Sequence, residues 1–413
     1  TACENSKARK EVCLWAYRAG GHPGPGRQPV DCPVANRCGG CSFRHLSYAA
    51  ELNAKQHFVQ DALLHIGHIE APVRPILPSP LENRYRNKVQ YPVQPGRDGA
   101  LVYGFYAPRS HQVVPCDDCL LQNQRLNQIA AATAALLQQA GAQPYHETTR
   151  QGLVRHIYLR QSNATGDVLL CLVLTSSQLP GAEQLVAELP AAFPEIKTIV
   201  LNLNPDNTNV VTGAESITLY GGGVIHDVLA GVPMRLGVHT FAQVNTPAAE
   251  RLFGALKHYA APKADDVLLD LYCGAGVIGL SMGTTAGQVL GVDTVPQSIE
   301  SARLNAREMG LANTRFLCED AQTAAERLAR EGLRPDIVTL DPPRKGVDAA
   351  TLQAVCAMAP PRLVMISCNP ATLARDLALL CQNGYTVQAV QPVDMFPRTR
   401  HVECVVLLTK AAP

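Results

Sequence analysis

Apolar positions first fall into a helical rhythm between residues 46 and 66, where Leu46, Ala50, Leu52, Phe58, Val59, Leu63 and Ile66 recur at helix-like spacing. Residues 75–235 follow a different pattern. Short runs such as Lys88–Val93, Leu101–Tyr106, Leu153–Arg160, Val168–Leu174 and Thr198–Leu203 are broken by Asn, Asp, Gly and Pro. That punctuation predicts a β-rich unit, with one helical interlude over Gln122–Ala140. From about residue 248 strands and helices alternate. Val267–Tyr272, Gln288–Asp293, Thr314–Cys318, Asp336–Leu340 and Leu363–Ser367 are unbroken apolar strands, Gly274–Gly279 opens a helix, and Gln297–Met309 forms another. Tyr385–Val390 and His401–Leu408 end the pattern as a strand pair without a helix between them. Strands buried on both faces read as continuous apolar runs, so this region predicts an α/β fold, a Rossmann-like, doubly wound and mostly parallel sheet. The first thirty-one residues show little periodicity and predict a lead-in without regular structure. The expected division is a lead-in and cysteine segment over 1–45, a helical linker over 46–74, the β-rich unit over 75–235 and the α/β unit over 236–413.

Composition narrows the classes of function. The 413 residues are 46 % hydrophobic and 17 % charged, with 36 basic against 35 acidic side chains. A net charge of +1 excludes a globally basic nucleic-acid coat while leaving room for a local basic patch. No apolar run approaches the roughly 18 residues of a membrane span, and no signal-peptide core precedes residue 32, so a cytoplasmic protein away from membranes is expected. The fourteen cysteines do not form a disulfide framework, since a chain of this size needs no such staples. Cys171, Cys318, Cys356 and Cys381 read as small buried hydrophobes. Cys32, Cys38 and Cys41 cluster, and Cys116 and Cys119 form a CxxC.

In doubly wound sheets ligands bind beyond the carboxyl ends of the strands, and those ends are rich here. The first strand runs into Asp270-Leu-Tyr-Cys-Gly-Ala-Gly276, where glycines allow a tight turn and the next helix offers free N–H groups. Gly274-x-Gly276-x-x-Gly279 alone suits any nucleotide-like cofactor, a nicotinamide dinucleotide included. Asp293 ends the second strand, placed to accept from ribose hydroxyls. Asp320 follows the third, either facing an adenine amino group or capping the next helix. The fourth ends in Asp341-Pro-Pro-Arg344, whose prolines stiffen the backbone and remove two donors. The fifth ends in Ser367-Cys368-Asn369-Pro370, with a thiol beside a helix start that should lower its pKa. The two-residue strand period puts His401 and Glu403 on one face, and a carboxylate in so apolar a strand is costly without a role.

Taken together, Phe241-x-Gln243-x-Asn245, Asp270-Leu-Tyr-Cys-Gly-Ala-Gly, Asp341-Pro-Pro-Arg, Ser367-Cys-Asn-Pro and His401-Val-Glu403 closely resemble the S-adenosylmethionine-dependent RNA uracil-5-methyltransferases, whose catalytic domain is of the class I methyltransferase type. The resemblance covers nearly everything from Cys32 onward. It implies Cys368 as nucleophile and Glu403 as base, with His401 a neighbour. It also implies Gln243, Tyr272, Gly274, Gly276, Asp293, Asp320 and Asp341 around donor and substrate. Val277 departs from it, since many relatives carry a polar residue there, often Asn. The chemistry asks for the same groups. C5 of uracil is a poor nucleophile until a thiolate adds at C6, and a base must then remove the C5 proton so that the thiolate can leave.

The same resemblance reads Cys32, Cys38, Cys41 and Cys119 as ligands of a [4Fe–4S] cluster, Cys119 being preferred over Cys116 for the Leu-Leu-Gln that follows it. By ligand type alone zinc would serve equally. Asn83-Arg-Tyr-Arg-Asn-Lys88 resembles the family's RNA-contacting signature, implicating Arg84, Arg86, Asn87 and Lys88, with Tyr85 and Tyr91 available for stacking. Cluster-bearing members mostly modify large-subunit (23S) ribosomal RNA, so rRNA is the expected substrate, tRNA the alternative, DNA excluded and a monomer expected. Many relatives carry a β-barrel (TRAM) module before the cysteines, and the thirty-one residues before Cys32 predict its absence or truncation. A dehydrogenase would leave Asp341-Pro-Pro-Arg, Cys368 and the cysteine cluster idle. An adenine methyltransferase would place an aromatic where Arg344 stands. An RNA-binding protein with a decayed enzyme domain would not keep both Cys368 and Glu403.

Overall fold

The structure is a computed structural model and describes residues 26–410; most of the expected lead-in lies outside them. Among the described residues no helix is long and apolar enough to cross a membrane. The first helix among the described residues is α1 (Tyr48–Ala62), capped by the Ser47 side chain and continued by a π turn over Leu63–Gly67. Val59, Ala62 and Leu63 are buried in the core of the C-terminal sheet, so the segment expected as a linker is packed onto the C-terminal unit.

The central unit is a seven-stranded sheet built from β1 (Lys88–Pro95), β2 (Leu101–Tyr106), β3 (Val113–Pro115), β4 (Val154–Gln161), β5 (Val168–Leu174), β6 (Ile196–Leu203) and β7 (Glu215–Tyr220), ordered β3-β2-β1-β4-β5-β6-β7. Helices α2 (Gln124–Gln139) and α3 (Ala182–Ala192) belong to it. Leu126, Ile129 and Leu137 of α2 pack with Leu185 and Leu189 of α3 against Val89, Ile157, Leu170 and Leu201 of the sheet. A hairpin, β8 (Ile225–Leu229) and β9 (Val232–Leu236), then leads into α4 (Thr246–Ala260).

The second sheet takes β10 (Val267–Leu271), β11 (Gln288–Asp293), β12 (Thr314–Cys318), β13 (Ile337–Leu340), β14 (Arg362–Ser367), β15 (Tyr385–Val393) and β16 (Glu403–Lys410) in the order β12-β11-β10-β13-β14-β16-β15. Its helices are α5 (Val277–Met282), α6 (Pro296–Glu308), α7 (Ala321–Arg330), α8 (Ala349–Met358) and α9 (Pro370–Gln382). All pairs are parallel except those of β16, which runs antiparallel to β14 and β15. Strand order reverses at β10, between β11 and β13, so the crevice above β10 is where this topology binds a ligand. Leu269, Leu271, Val338, Leu340, Leu363 and Met365 are all fully buried, which explains the unbroken apolar runs.

Three local expectations are corrected. Strand β16 starts at Glu403, so His401 lies in the loop before it and the two-residue period does not relate the two side chains. Cys318 is exposed because it ends β12, the edge strand, and Cys381 is only half-buried near the end of α9, while Cys171 and Cys356 are buried. Tyr85 and Tyr91 are buried too, their hydroxyls donating to Pro397 O (3.1 Å) and Asn127 Oδ1 (2.6 Å), so neither ring is free to stack on a base.

Candidate active site

The turn after β10 is shaped by glycine. Gly276 adopts φ +81° and starts α5, and a Cβ on Gly279 would meet Val289 Cγ1 at 2.9 Å, so α5 can lie this close to β11 only without a side chain there. Asp270 is fully buried and accepts from Thr339 Oγ1 (2.7 Å) and Gly279 N–H (3.0 Å). Burial pushes its carboxyl up to about 7. Gly274, at φ +53°, donates its N–H to Asp293 Oδ2 (2.9 Å), and Val295 N–H donates to Oδ1 (2.8 Å), which aims Asp293 at the glycine turn. Tyr272 sits at φ +65°, its ring half-buried against the core. Asp320 caps α7, accepting from Gln322 and Thr323 N–H through Oδ1 (3.0 and 3.3 Å) and leaving Oδ2 uncommitted. Gln243 lies on the loop before α4, held through its carbonyl by Asn87 Nδ2 (3.1 Å), which also donates to Thr246 Oγ1 (3.0 Å).

On the other side of β13 the sheet register sets the chemistry. Ser367 pairs with Cys404 across β14 and β16, so Cys368, just beyond β14, comes beside Glu403, the first residue of β16. Leu340 pairs with Met365, which brings Asp341 to the same edge. The turn at Cys368 is pinned by Asn369 N–H donating to Ser367 Oγ (3.2 Å) and by Asn369 Oδ1 capping α9. Asn369 Nδ2 and Thr372 Oγ1 both donate to Arg344 O (3.4 Å each), tying the Pro-Pro-Arg loop to that turn.

Electrostatics here differ from the expectation. The Cys368 thiol is pushed up: burial disfavours the thiolate, Glu403 and Asp341 oppose it, and Arg344 offsets them only in part. Glu403 is pushed up to about 8 by burial and then by Asp341, against the pull of Arg344. Burial alone pushes Asp341 up to about 6. Burial and Arg344 hold His401 below its usual value, which favours the neutral ring. Arg344 is therefore a cation facing Cys368, Glu403 and His401. The sequence offered no signal for that role beyond its place after the prolines.

The second feature is a cavity of about 320 Å³ lined by Cys32, Cys38, Cys41, Cys116 and Cys119 together with Arg44, Arg86, Lys88 and Thr399. Gly40 N–H donates to Cys38 Sγ at 3.4 Å. Burial pushes Cys38 and Cys41 up, Cys41 to about 12. Cys119 is held down to about 6 by the hydrogen bond from Cys116, helped by the N–H groups of Leu121 and Gln122. Arg44 is almost fully buried and pairs with Asp31 through Nε (2.6 Å) and Nη2 (2.9 Å), while its Nη1 has no partner. Among the described residues no three Cys, His, Asp or Glu side chains converge as a single metal ion would need. Arg84 grips Asp118 and Cys119 O, Arg86 and Lys88 face this cavity, and Asn87 holds the Gln243 loop. The basic signature thus organises the cysteine loop and the donor side as well as any surface.

A sequence model described as tRNA (Uracil-5-)-methyltransferase matches residues 233–411. Curated relatives extend the match to almost the whole chain. An uncharacterized RNA methyltransferase of Bacillus cereus is 38 % identical over 94 % of this chain and 84 % of its own length. Another, of Halalkalibacterium halodurans, is 39 % identical over 93 % of this chain and 84 % of its own. The chain belongs to the RNA uracil-5-methyltransferase family. It is an RNA methyltransferase. Among solved structures, the Pyrococcus abyssi tRNA (uracil-54, C5)-methyltransferase in complex with S-adenosyl-L-homocysteine superposes with a TM-score of 0.76 at 23 % identity. It covers 94 % of this chain and 87 % of its own, which establishes the common class I methyltransferase fold.

Proposed function

We propose that this methyltransferase transfers the methyl group of S-adenosylmethionine to C5 of a uridine in RNA through a covalent adduct between Cys368 and C6. The observation that carries this reading is the side-by-side position of Cys368 and Glu403 at the ends of β14 and β16, with Asp341 at the same edge. The donor, when bound, supplies an electrophilic methyl group and a positive sulfonium. Gln243, Tyr272, Gly274, Gly276, Asp293 and Asp320 would hold it along the crevice above β10. Asp341, kept partly protonated by burial, can hydrogen-bond the uracil edge, donating to O4 or accepting from N3–H.

Cys368, as thiolate, adds to C6 and pushes an electron pair towards C5 and O4. Arg344 is placed to favour the thiolate and the developing enolate charge. The C5 electron pair then takes the methyl group as the S–CH3 bond breaks and its pair stays on sulfur, leaving neutral S-adenosylhomocysteine, and Glu403 removes the C5 proton. The electron pair of that C–H bond reforms the C5–C6 double bond and expels Cys368 as thiolate. Only ionised Glu403 can act as this base, so its high pKa makes the last step sensitive to pH near neutrality.

The cysteine cavity suits a [4Fe–4S] cluster. A tetrahedral zinc would draw four thiolates to about 3.8 Å from one another, given Zn–S bonds of about 2.3 Å. Here five cysteines line a cavity of about 320 Å³ and no three of them converge on a single metal position, while a donated N–H at Cys38 and an unpaired Arg44 Nη1 suit an anionic group. Cys32, Cys38, Cys41 and Cys119 would hold the cluster. Methyl transfer is redox-neutral, so its place is structural. Because cluster-bearing members resembled by these motifs act mostly on large-subunit ribosomal RNA, that RNA is the proposed substrate.

The test is Cys368→Ala assayed on 23S ribosomal and transfer RNA. Wild type should methylate the ribosomal RNA, and the variant should lose all turnover while binding S-adenosylmethionine within about twofold of wild type. Turnover by the variant would remove the nucleophile assignment, and methylation of transfer RNA alone would remove the substrate assignment.

A further inference from the structure

Residues 394–402 join β15 to β16 and deliver Glu403 to the site. This segment is buried along most of its length and bonded along almost all of it to other parts of the chain. Lys55 of α1 is fully buried, and its ammonium donates to Asp394 Oδ1 (2.6 Å), Phe396 O (3.1 Å) and Glu51 Oε1 (2.7 Å). Tyr48 donates its hydroxyl proton to Asp394 Oδ2 (2.9 Å). Asn245 Nδ2 donates to Met395 O (3.0 Å), and the Tyr85 hydroxyl to Pro397 O (3.1 Å).

The next residues reach the cysteine segment. Arg398 adopts φ +68°, a conformation costly for a residue with a side chain. It is held there by its N–H donating to Glu51 Oε1 (2.7 Å), its carbonyl accepting from Phe43 N–H (3.0 Å), and its guanidinium bonding Leu46 O and Glu82. Thr399 lines the cysteine cavity. Arg400 donates its N–H to Ser42 Oγ (2.9 Å). Ser42 and Phe43 directly follow Cys41, and Glu403 lies three residues after Arg400.

We propose that residues 394–400 form a strap that ties the base Glu403 to the cysteine segment, with Ser42, Tyr48 and Lys55 as its positioning residues. The inference rests on Glu403 being the base, as read above. A rigid, buried carboxylate removes a proton well only when it is held in line with it, and each loosened bond of the strap widens the range that Glu403 explores. The cysteine cavity then acts on the last step of the reaction, proton removal and release of Cys368, at a distance and without electron transfer.

Mild variants test it in the full chain purified with its metal content intact. Ser42→Ala removes one acceptor and Tyr48→Phe one hydroxyl, and both keep the fold where Lys55→Met could lose it. Hydrogen exchange over 399–403, kcat, KM and the yield of methyl-labelled protein–RNA adduct are read together. Either variant should speed exchange over 399–403, lower kcat about fivefold, as loss of one hydrogen bond would, leave both KM values within about twofold, and accumulate labelled adduct. Unchanged kcat with faster exchange, unchanged exchange and kcat alike, or a raised KM at constant kcat would each overturn the strap. Glu403→Gln run alongside separates the two claims. Normal turnover there removes the base, whereas a trapped adduct there with unaffected strap variants removes only the coupling.

Discussion

At the active site the charges are arranged against the resting nucleophile and base. Burial raises both Cys368 and Glu403, Asp341 adds to both, and Arg344 is the one cation that lowers them. Glu403, raised to about 8, must lose its proton to act, so kcat should climb with pH through that region. Replacing Arg344 with Gln removes a charge that favours both ionised forms. The rising limb should then move to higher pH, and kcat at pH 7 should fall on the order of tenfold. A pH–rate profile of Arg344→Gln checks this, and a limb that stays in place or moves to lower pH would refute the role given to Arg344.

The elements show which signals a sequence carries. The ends of Leu101–Tyr106, Val168–Leu174, Gln288–Asp293 and Thr314–Cys318 were legible to the residue, because each is an apolar run closed by a turn former. The α4 helix was missed although Asn245 caps it with Pro247 just inside, a signal that was available. His401 was misplaced because apolar alternation continues upstream of the strand, while the backbone there is committed to Thr399 and Ser42 instead of a ladder. The strand-end residues of the site were legible as motifs. Their electrostatics were not, since burial and the facing charges of β13 and β16 are set by sheet order. Likewise Tyr85 and Tyr91 looked like stacking platforms, and only the fold turns them inward. The cysteine loop gives a prediction at this scale. Cys38→Ser should remove a broad visible absorbance and most of the iron from anaerobically purified protein, by metal analysis. About one zinc and no iron in wild type would contradict the cluster while leaving the ligands in place.

Across the whole molecule, burial has raised Glu51 and Asp270 to about 7, Asp341 to about 6 and Glu403 to about 8. Between pH 5 and 8 these four carboxyls therefore hold protons in the folded chain that they release in the unfolded one, and their contribution to stability falls as pH rises. Asp31, Asp118 and Glu319 are held low by arginines, whereas Cys119, held down to about 6, and buried His156, held down to about 4, act with the opposite sign over part of that window. The Tm of RNA-free Glu403→Gln should fall less, or rise more, from about pH 6 to 8.5 than that of wild type, and an identical pH dependence of the two would contradict the burial of Glu403.

The central claim, that two residues on neighbouring strands divide one methylation between them, is tested most directly by Glu403→Gln. The amide keeps the shape of the carboxylate but cannot take a proton, so Cys368 should still add to C6 and the methyl group should still transfer. Elimination should then stall. With methyl-labelled S-adenosylmethionine and unmodified uridine RNA, a denaturing gel should show a labelled protein–RNA adduct in the variant and little of it in wild type. Turnover by Glu403→Gln near the wild-type rate, with no labelled adduct, would contradict the account and move the base to another group, His401 first.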